Sequence, residues 1–295
     1  LPTAMMFEEG NHVSLSFSST APDVTDDLYA TTKSMYTDYS SVTGTFKTQL
    51  NEKLSFGLAR YQSEGIDLSI FLFGKFEHQI INAISRHKLS KKPIFFDIGA
   101  NIGVQTLQLG EYFKGSIIHA FEPTNFGYNK MQKNISLNPI LKKTIYINQT
   151  FLTNKKKEIP NKIYASWSLE NKKNVHKKHL GSYKKTSNAN SFKLDTYIIR
   201  KKIKKIDFIK LDVDGHELDV LKSGYKFLKK KRVPIIFEVA PYLYEEYGYT
   251  YTDLINLFKE LGYKFYNIYN LKKIKNINEF ILSIKDGAST TLIAK

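Results

Sequence analysis

The sequence predicts an α/β protein on a doubly wound, mostly parallel sheet, preceded by a β-rich extension. Three observations lead there. From Phe76 onward, short apolar runs alternate with stretches of helical periodicity, and strands separated by helices call for parallel pairing with helices on both faces. The run "PIFFDIGANIGVQTLQLG" passes from a strand through a glycine-bearing turn into a helix, which is the local grammar of a nucleotide site. Residues 1–65 differ from the rest in being rich in Ser, Thr and Asp and poor in Lys, so a boundary is expected between an extension at 1–65 and a domain at 66–295.

Composition narrows the function classes. A chain of 295 residues has room for one large α/β domain with an appendage. The absence of cysteine excludes disulfides, thiolate zinc sites, iron–sulfur clusters and a cysteine nucleophile together. No run is long and apolar enough to span a bilayer as a helix, and a cytoplasmic location is expected. The net charge of +16 invites a nucleic-acid partner. Nearly all of it is Lys accompanied by abundant Asn, Ile and Tyr, the residue usage of an AT-rich coding sequence, which argues against nucleic acid as the partner.

The elements follow in order. In the extension, "HVSLSFSS" sets Val13, Leu15 and Phe17 on one face and "KLSFGLARY" does the same with Leu54, Phe56 and Leu58. Between alternating runs, Asn51 to Lys53 reads as a hairpin turn. Then "GKFEHQIINAISRHKL" lines up Phe76, Ile80, Ile84 and His87 as a helical stripe. Strand "PIFFDIG" leads into an amphipathic helix begun by Val104, Leu107 and Leu109. Strand "SIIHAFEP", helix "NFGYNKMQKNISL" and strand "TIYIN" come next, followed by an irregular basic stretch from Phe151 to Phe192. Strand "IDFIKLDV", helix "HELDVLKSGYKFLKK", strand "VPIIFEV", helix "YTDLINLFKEL", strand "YKFYNIY" and a last strand "STTLIAK" complete the pattern.

The chemistry-bearing positions gather where those strands end. Asp97 stands at a strand's carboxyl edge, and Gly99, Ala100, Asn101 and Gly103 form a turn that permits close backbone approach. Glu122 ends the next strand about twenty residues on, where a doubly wound fold sets an acid against ribose hydroxyls. That acid suits NAD and S-adenosylmethionine alike. The loop is D-x-G-x-N-x-G rather than G-x-G-x-x-G, and an acceptor at Asp97 toward an ammonium suits the methyl donor better. Lys210 and Asp212 lie on one face of what should be a central strand, and burying such groups is costly. Asp214, His216 and Glu217 follow. Asp214 and Glu217 also have the spacing of a helix capping box, and His216 has the position of a solvent-side residue in a first turn, so structural and chemical roles both stand open. Glu238 ends the strand after, and its alternative role is a strand-end contact to backbone. Trp167 in the basic stretch could stack on a sugar face or anchor packing. His176 and His179, flanked by lysines, read as solvated, and no metal site is expected.

The segments "FFDIGANIGVQTL", "AFEPTNFGYNKMQKNISLN", "LDTYI", "IDFIKLDVDGHELDVLKSG" and "PIIFEV" together resemble the FkbM family of S-adenosylmethionine-dependent methyltransferases over Ile66 to Lys295. The resemblance implies a class I methyltransferase fold, seven strands in the order 3-2-1-4-5-7-6 with the last antiparallel, and O-methylation of a hydroxyl on a sugar, glycan or other small molecule. It makes Asp97, Gly99, Ala100, Asn101 and Gly103 the donor loop and Glu122 the ribose acid. It sets "KLDVDGHE" beside the transferred methyl, with Asp212, Asp214 and His216 as catalytic candidates and Glu217, Glu238 and Trp167 toward the acceptor. Family members often carry Glu where this chain has Asp214, which leaves the identity of the base open. An RNA or DNA methyltransferase is the enzymatic alternative, and a catalytically dead nucleotide-binding module another. The opening segments "AMMFEEGNHVSLSFSSTAPDV" and "FKTQLNEKLSFGLARYQSEGID" resemble early strands of FadL-type outer-membrane fatty-acid transporters. A few strands cannot close a barrel, so that likeness can describe only the appendage.

Overall fold

The computed structural model describes residues 42–44, 59–61, 75–155, 159–165 and 181–295. Two compact units divide the chain between Gly74 and Lys75. In the first, β1 (Val42–Gly44) pairs antiparallel with β2 (Ala59–Tyr61), Val42 opposite Tyr61. That register joins the two flanks of Asn51–Lys53. The turn itself, and the alternating runs at 13–17 and 54–58, lie outside the described residues.

The second unit opens with α1 (His78–Ser85), β3 (Ile94–Ile98), α2 (Val104–Tyr112), β4 (Ile117–Phe121), α3 (Asn125–Ser136), α4 (Pro139–Lys142) and β5 (Ile145–Asn148). Short strands β6 (Thr150–Leu152), β7 (Lys162–Ala165), β8 (Ser182–Lys185) and β9 (Asn190–Phe192) follow, then α5 (Leu194–Arg200), β10 (Phe208–Leu211), α6 (Glu217–Ser223) and α7 (Tyr225–Lys231). The chain finishes with β11 (Ile235–Val239), α8 (Pro241–Tyr244), α9 (Tyr251–Glu260), β12 (Phe265–Asn267), α10 (Ile277–Leu282) and β13 (Thr290–Ala294).

Seven of these strands form one sheet in the order β5-β4-β3-β10-β11-β13-β12. Neighbours from β5 to β11 are parallel, while β13 runs antiparallel to both β11 and β12. This is the order 3-2-1-4-5-7-6 of the class I methyltransferase fold. The direction of winding reverses between β3 and β10, and the carboxyl ends of those two strands are where such sheets bind ligands.

Burial on both faces explains the unbroken apolar runs. Phe96, Ile98, Ile209, Leu211, Ile235, Phe237 and Leu292 point to one side, where α5, α6, α7, α9 and α10 cover them. Phe95, Phe208, Ile236 and Ile293 point to the other, beneath α1 to α4. Among the described residues no helix is long and apolar enough to cross a membrane.

Four expectations change. The stretch expected to be irregular contains β6 to β9, with β6 parallel to β9 and β7 antiparallel to β8. The helix expected over "HELDVLKSGYKFLKK" breaks at Gly224, where a Cβ would stand 2.6 Å from the Leu194 side chain. Helix α2 is not amphipathic in burial: Val104 to Gly110 are all buried, Gln105 and Gln108 included. The ends of β12 are shorter than the periodicity suggested, and α10 was not foreseen.

Candidate active site

The loop after β3 is built by close packing. Gly99 has φ +82°, and a Cβ there would lie 1.6 Å from the Asp212 carbonyl oxygen. The close approach expected toward a ligand is thus first of all an approach to the end of β10. The Gly99 and Ala100 amides donate to the Phe121 carbonyl, tying the loop to β4. Asn101 takes φ +49°, and Gly103 heads α2 against Met131. Ala100 is buried.

Two acids flank this loop. Asp97 is fully buried, accepts a 2.5 Å hydrogen bond from Thr106 Oγ1 through Oδ2, and keeps Oδ1 3.7 Å from Lys210 Nζ. Oδ1 itself meets no hydrogen-bond donor among the described residues. Glu122, just past β4, turns its carboxylate back onto the loop. Its Oε2 accepts from the Asn101 amide at 3.0 Å, and Oε1 accepts from the Thr124 amide and hydroxyl at 2.9 and 2.5 Å. Gly127, opening α3, leaves the room for it, since a Cβ would stand 2.9 Å from the Glu122 carboxyl carbon. A glycine in a helix's first turn was a signal for that seat which sequence reasoning did not use.

Lys210 joins the two strands at the switch point. It pairs in register with Asp97, and its ammonium reaches the Gly99 carbonyl at 3.0 Å and Asp212 Oδ2 at 3.0 Å. A buried lysine in a central strand is therefore the clamp between the loop, Asp97 and the acidic segment after β10. Beyond it, Asp212, Asp214 and Glu238 offer carboxylate oxygens that all lie within 4.8 Å of one another, a grouping that could also hold a cation. Ser289 Oγ donates to Glu238 Oε1 at 2.6 Å, in place of the backbone contact considered from sequence.

The other candidates fall differently. Glu217 does not complete a capping box with Asp214; the residue ahead of α6 is His216, with no side-chain cap. Instead Glu217 Oε1 accepts from the Val213 and Gly215 amides at 3.1 and 3.5 Å, and the side chain is buried. It holds the loop's shape from within. His216 is not solvent-side: its ring lies edge-on to Phe151 at 5.0 Å and against Tyr247 at 4.3 Å. Trp167, His176 and His179 lie outside the described residues.

A family model of the methyltransferase FkbM domain matches residues 97–265, more than half of the chain. The chain belongs to the FkbM methyltransferase family. No curated protein matches it. Among solved structures, a methyltransferase FkbM from Methylobacillus flagellatus KT is similar at 15% identity and a TM-score of 0.43, over 72% of this chain and 45% of that one. The chain thus spans under half the length of that relative. A ribosomal protein L11 methylase from Lactobacillus delbrueckii subsp. bulgaricus aligns at 12% identity and a TM-score of 0.41, covering 79% of this chain and 80% of that one. A precorrin-6y C5,15-methyltransferase from Geobacter metallireducens GS-15 does so at 10% and 0.38, covering 74% and 88%.

S-adenosylmethionine is the cofactor that membership of this family implies. The residues of the FkbM domain fit a cationic donor. Asp97 presents a buried acceptor with no donor, Glu122 is fixed by three hydrogen bonds with acceptor capacity to spare, and the surrounding groups are mostly acidic although the chain as a whole is basic.

Electrostatics follow from that crowding. Burial raises the Asp97 carboxyl above its ordinary range, against Lys210 and Thr106, which lower it. Burial likewise raises Glu122, opposed by Thr124 and Asn101. Burial would lower Lys210, but Asp212, Asp97 and Glu77 outweigh it and hold the ammonium charged. Asp214 is pushed well up by burial and then by Asp212 and Glu217, and Glu238 by burial and then by Asp212 and Asp214. Both keep some exposed surface, but protein surrounds their carboxyl groups. Asp214 is itself among the causes that raise Glu238, so these two carboxyls resist ionising together. Burial lowers His216 to about 4 and raises Glu217 to about 7.

Proposed function

We propose that this FkbM domain is an O-methyltransferase acting on a hydroxyl of a sugar, glycan or other small molecule. The observation that carries the reading is the cluster of Asp212, Asp214 and Glu238 at the carboxyl ends of β10 and β11, next to the loop that Asp97, Glu122 and Lys210 organise. When bound, the donor supplies an electrophilic methyl group on a cationic sulfur. The chain's own residues have three tasks. Gly99, Ala100, Asn101 and Gly103 shape the donor loop, and Glu122 accepts from ribose hydroxyls. Lys210 holds Asp97 and Asp212 in place, so that the loop and the acids keep one geometry. Asp214, its carboxyl raised by burial and then by Asp212 and Glu217, accepts the proton of the acceptor hydroxyl. His216, neutral and packed between rings, orients the loop in this scheme, and metal is not required by it.

The acceptor class rests on the same acids. A polyphosphate backbone approaching three carboxylates would be repelled, which disfavours RNA or DNA despite the basic surface. A neutral polyol meets no such penalty. Tyr164 and Tyr183 stack at 3.9 Å across the antiparallel β7–β8 pair, and Tyr242 and Tyr247 stand in the field of Asp214, so amphipathic rings are available to a ring-shaped neutral acceptor.

Donor-dependent formation of S-adenosylhomocysteine on a panel of sugars, lipopolysaccharide fragments and RNA tests this. Turnover is expected with a hydroxylated neutral acceptor and not with RNA, and binding of S-adenosylhomocysteine should weaken strongly in Glu122→Ala. Methylation of RNA alone, or unchanged binding in Glu122→Ala, would overturn the reading.

A further inference from the structure

Helix α1 begins at a residue whose conformation is unusual. Glu77, ahead of the matched stretch 97–265, adopts φ 46° and ψ 45°, in the left-handed region, and its carboxylate makes no capping bond to its own helix. A non-glycine residue there is held by its surroundings at a cost. The restraint is visible at Phe76. Its carbonyl accepts from Gln105 Nε2 at 2.9 Å and Gln108 Nε2 at 2.7 Å, while its amide donates to Gln108 Oε1 at 3.1 Å. Both glutamines are buried on α2. They explain why that helix is polar on a buried face: the face receives the segment before α1.

The same grip sets the Glu77 carboxylate at the donor loop. Gln105 Nε2 lies 3.4 Å from Glu77 Oε2, Gln105 is in the first turn of α2 directly after the loop, and its neighbour Thr106 binds Asp97. Two buried acceptors here meet no donor among the described residues, Asp97 Oδ1 and Gln105 Oε1. Burial and then Asp212 raise the Glu77 carboxyl to about 7, with Lys210 pulling it down. Lys210 makes its hydrogen bonds to Gly99 and Asp212 and stands 3.7 Å from Asp97 Oδ1, beyond hydrogen-bond distance. Beside that one ammonium the place still has acceptors in excess of donors. An ammonium group, with three donors and a positive charge, is the chemistry that satisfies it.

We propose that Glu77 is a donor-binding residue that holds the ammonium of the amino-acid portion of S-adenosylmethionine, together with the orphaned acceptors beside it. This rests on the donor-site reading above and extends it to a helix outside the matched family segment. Gln105 and Gln108 are then positioning residues, acting through the backbone of Phe76.

Calorimetry with two ligands tests it. S-adenosylhomocysteine carries the ammonium; 5′-methylthioadenosine has the same nucleoside and sulfur without the amino-acid portion. Glu77→Gln should weaken S-adenosylhomocysteine at least about tenfold, the scale of one charge-assisted hydrogen bond, and leave 5′-methylthioadenosine unchanged. Glu77→Asn is the second variant, because Asn tolerates the left-handed conformation and should fold at least as well. Glu122→Ala, run in parallel, should weaken both ligands. If Glu122→Ala weakens both while neither Glu77 variant shifts S-adenosylhomocysteine more than twofold, or if the Glu77 variants weaken both ligands equally, Glu77 has no such role and the donor site stands. If Glu122→Ala changes neither ligand, the donor site and the role of Glu77 fall together.

Discussion

Replacing Lys210 with Met removes the ammonium that lies between Asp97, Asp212 and the Gly99 carbonyl while keeping most of the side chain's volume. Asp97 is then a fully buried carboxyl with Thr106 as its remaining hydrogen-bond partner, and Asp212 loses its 3.0 Å ion pair. Removing one partner of a buried pair costs about 3–5 kcal/mol, because the other charge is left uncompensated. The upper part of that range is reached only if Asp97 stays ionised; protonation limits the loss. Urea unfolding at pH 7.5, with the slope checked for constancy, measures it directly, and a melting point lower by about 6–20 °C should accompany it. The sign with pH is fixed by Asp97. Its folded carboxyl is already raised, and without Lys210 it rises further. The variant's deficit is therefore smallest below the ordinary carboxylate value of about 3.9 and grows as pH climbs through the raised folded value. Adding Asp97→Asn to the Met variant should recover much of the loss at neutral pH. A cost under about 1 kcal/mol for Lys210→Met, the range of an exposed pair, would refute the claim that this lysine clamps the switch point.

Gly99→Ala should prevent native folding of the domain, seen as loss of cooperative unfolding, because its Cβ would overlap the Asp212 carbonyl and the backbone is at φ +82°; a soluble, cooperatively unfolding variant would count against that packing. If Asp214 is the base, Asp214→Asn should lower kcat by about 10²–10⁴ with S-adenosylhomocysteine affinity unchanged. Wild-type kcat should rise with pH through a value above the usual carboxylate range, since the raised Asp214 must lose its proton to act, and that limb should vanish in the variant. Chelation with EDTA is expected to leave turnover intact. Loss restored by Mg²⁺ would instead assign Asp212, Asp214 and Glu238 to a cation.

Legibility from sequence divides along physical lines. Strand runs such as "PIFFDIG" and "VPIIFEV" were readable because burial on both faces demands an unbroken apolar sequence, and Asp97 and Glu122 were readable because each ends such a run. The short strands β6 to β9 escaped notice because their stability comes from partners far along the chain. Glu217 was misjudged for the opposite reason: its spacing from Asp214 is local and correct, but the backbone between them turns through Asp214 at φ 46° and sends the carboxylate to the Val213 and Gly215 amides.

Alternation of apolar runs with helical periodicity was enough to specify a doubly wound sheet and to mark which strand ends carry acids, since both depend on contacts within a few residues and on which faces must be dry. Only the assembled fold decided that Lys210 pairs with Asp97, that Asp212, Asp214 and Glu238 share one space, and that Glu77 meets Gln105 at the start of α2. Those relations join residues far apart in the chain, and the free energy of a buried charge depends on neighbours that a linear pattern does not record.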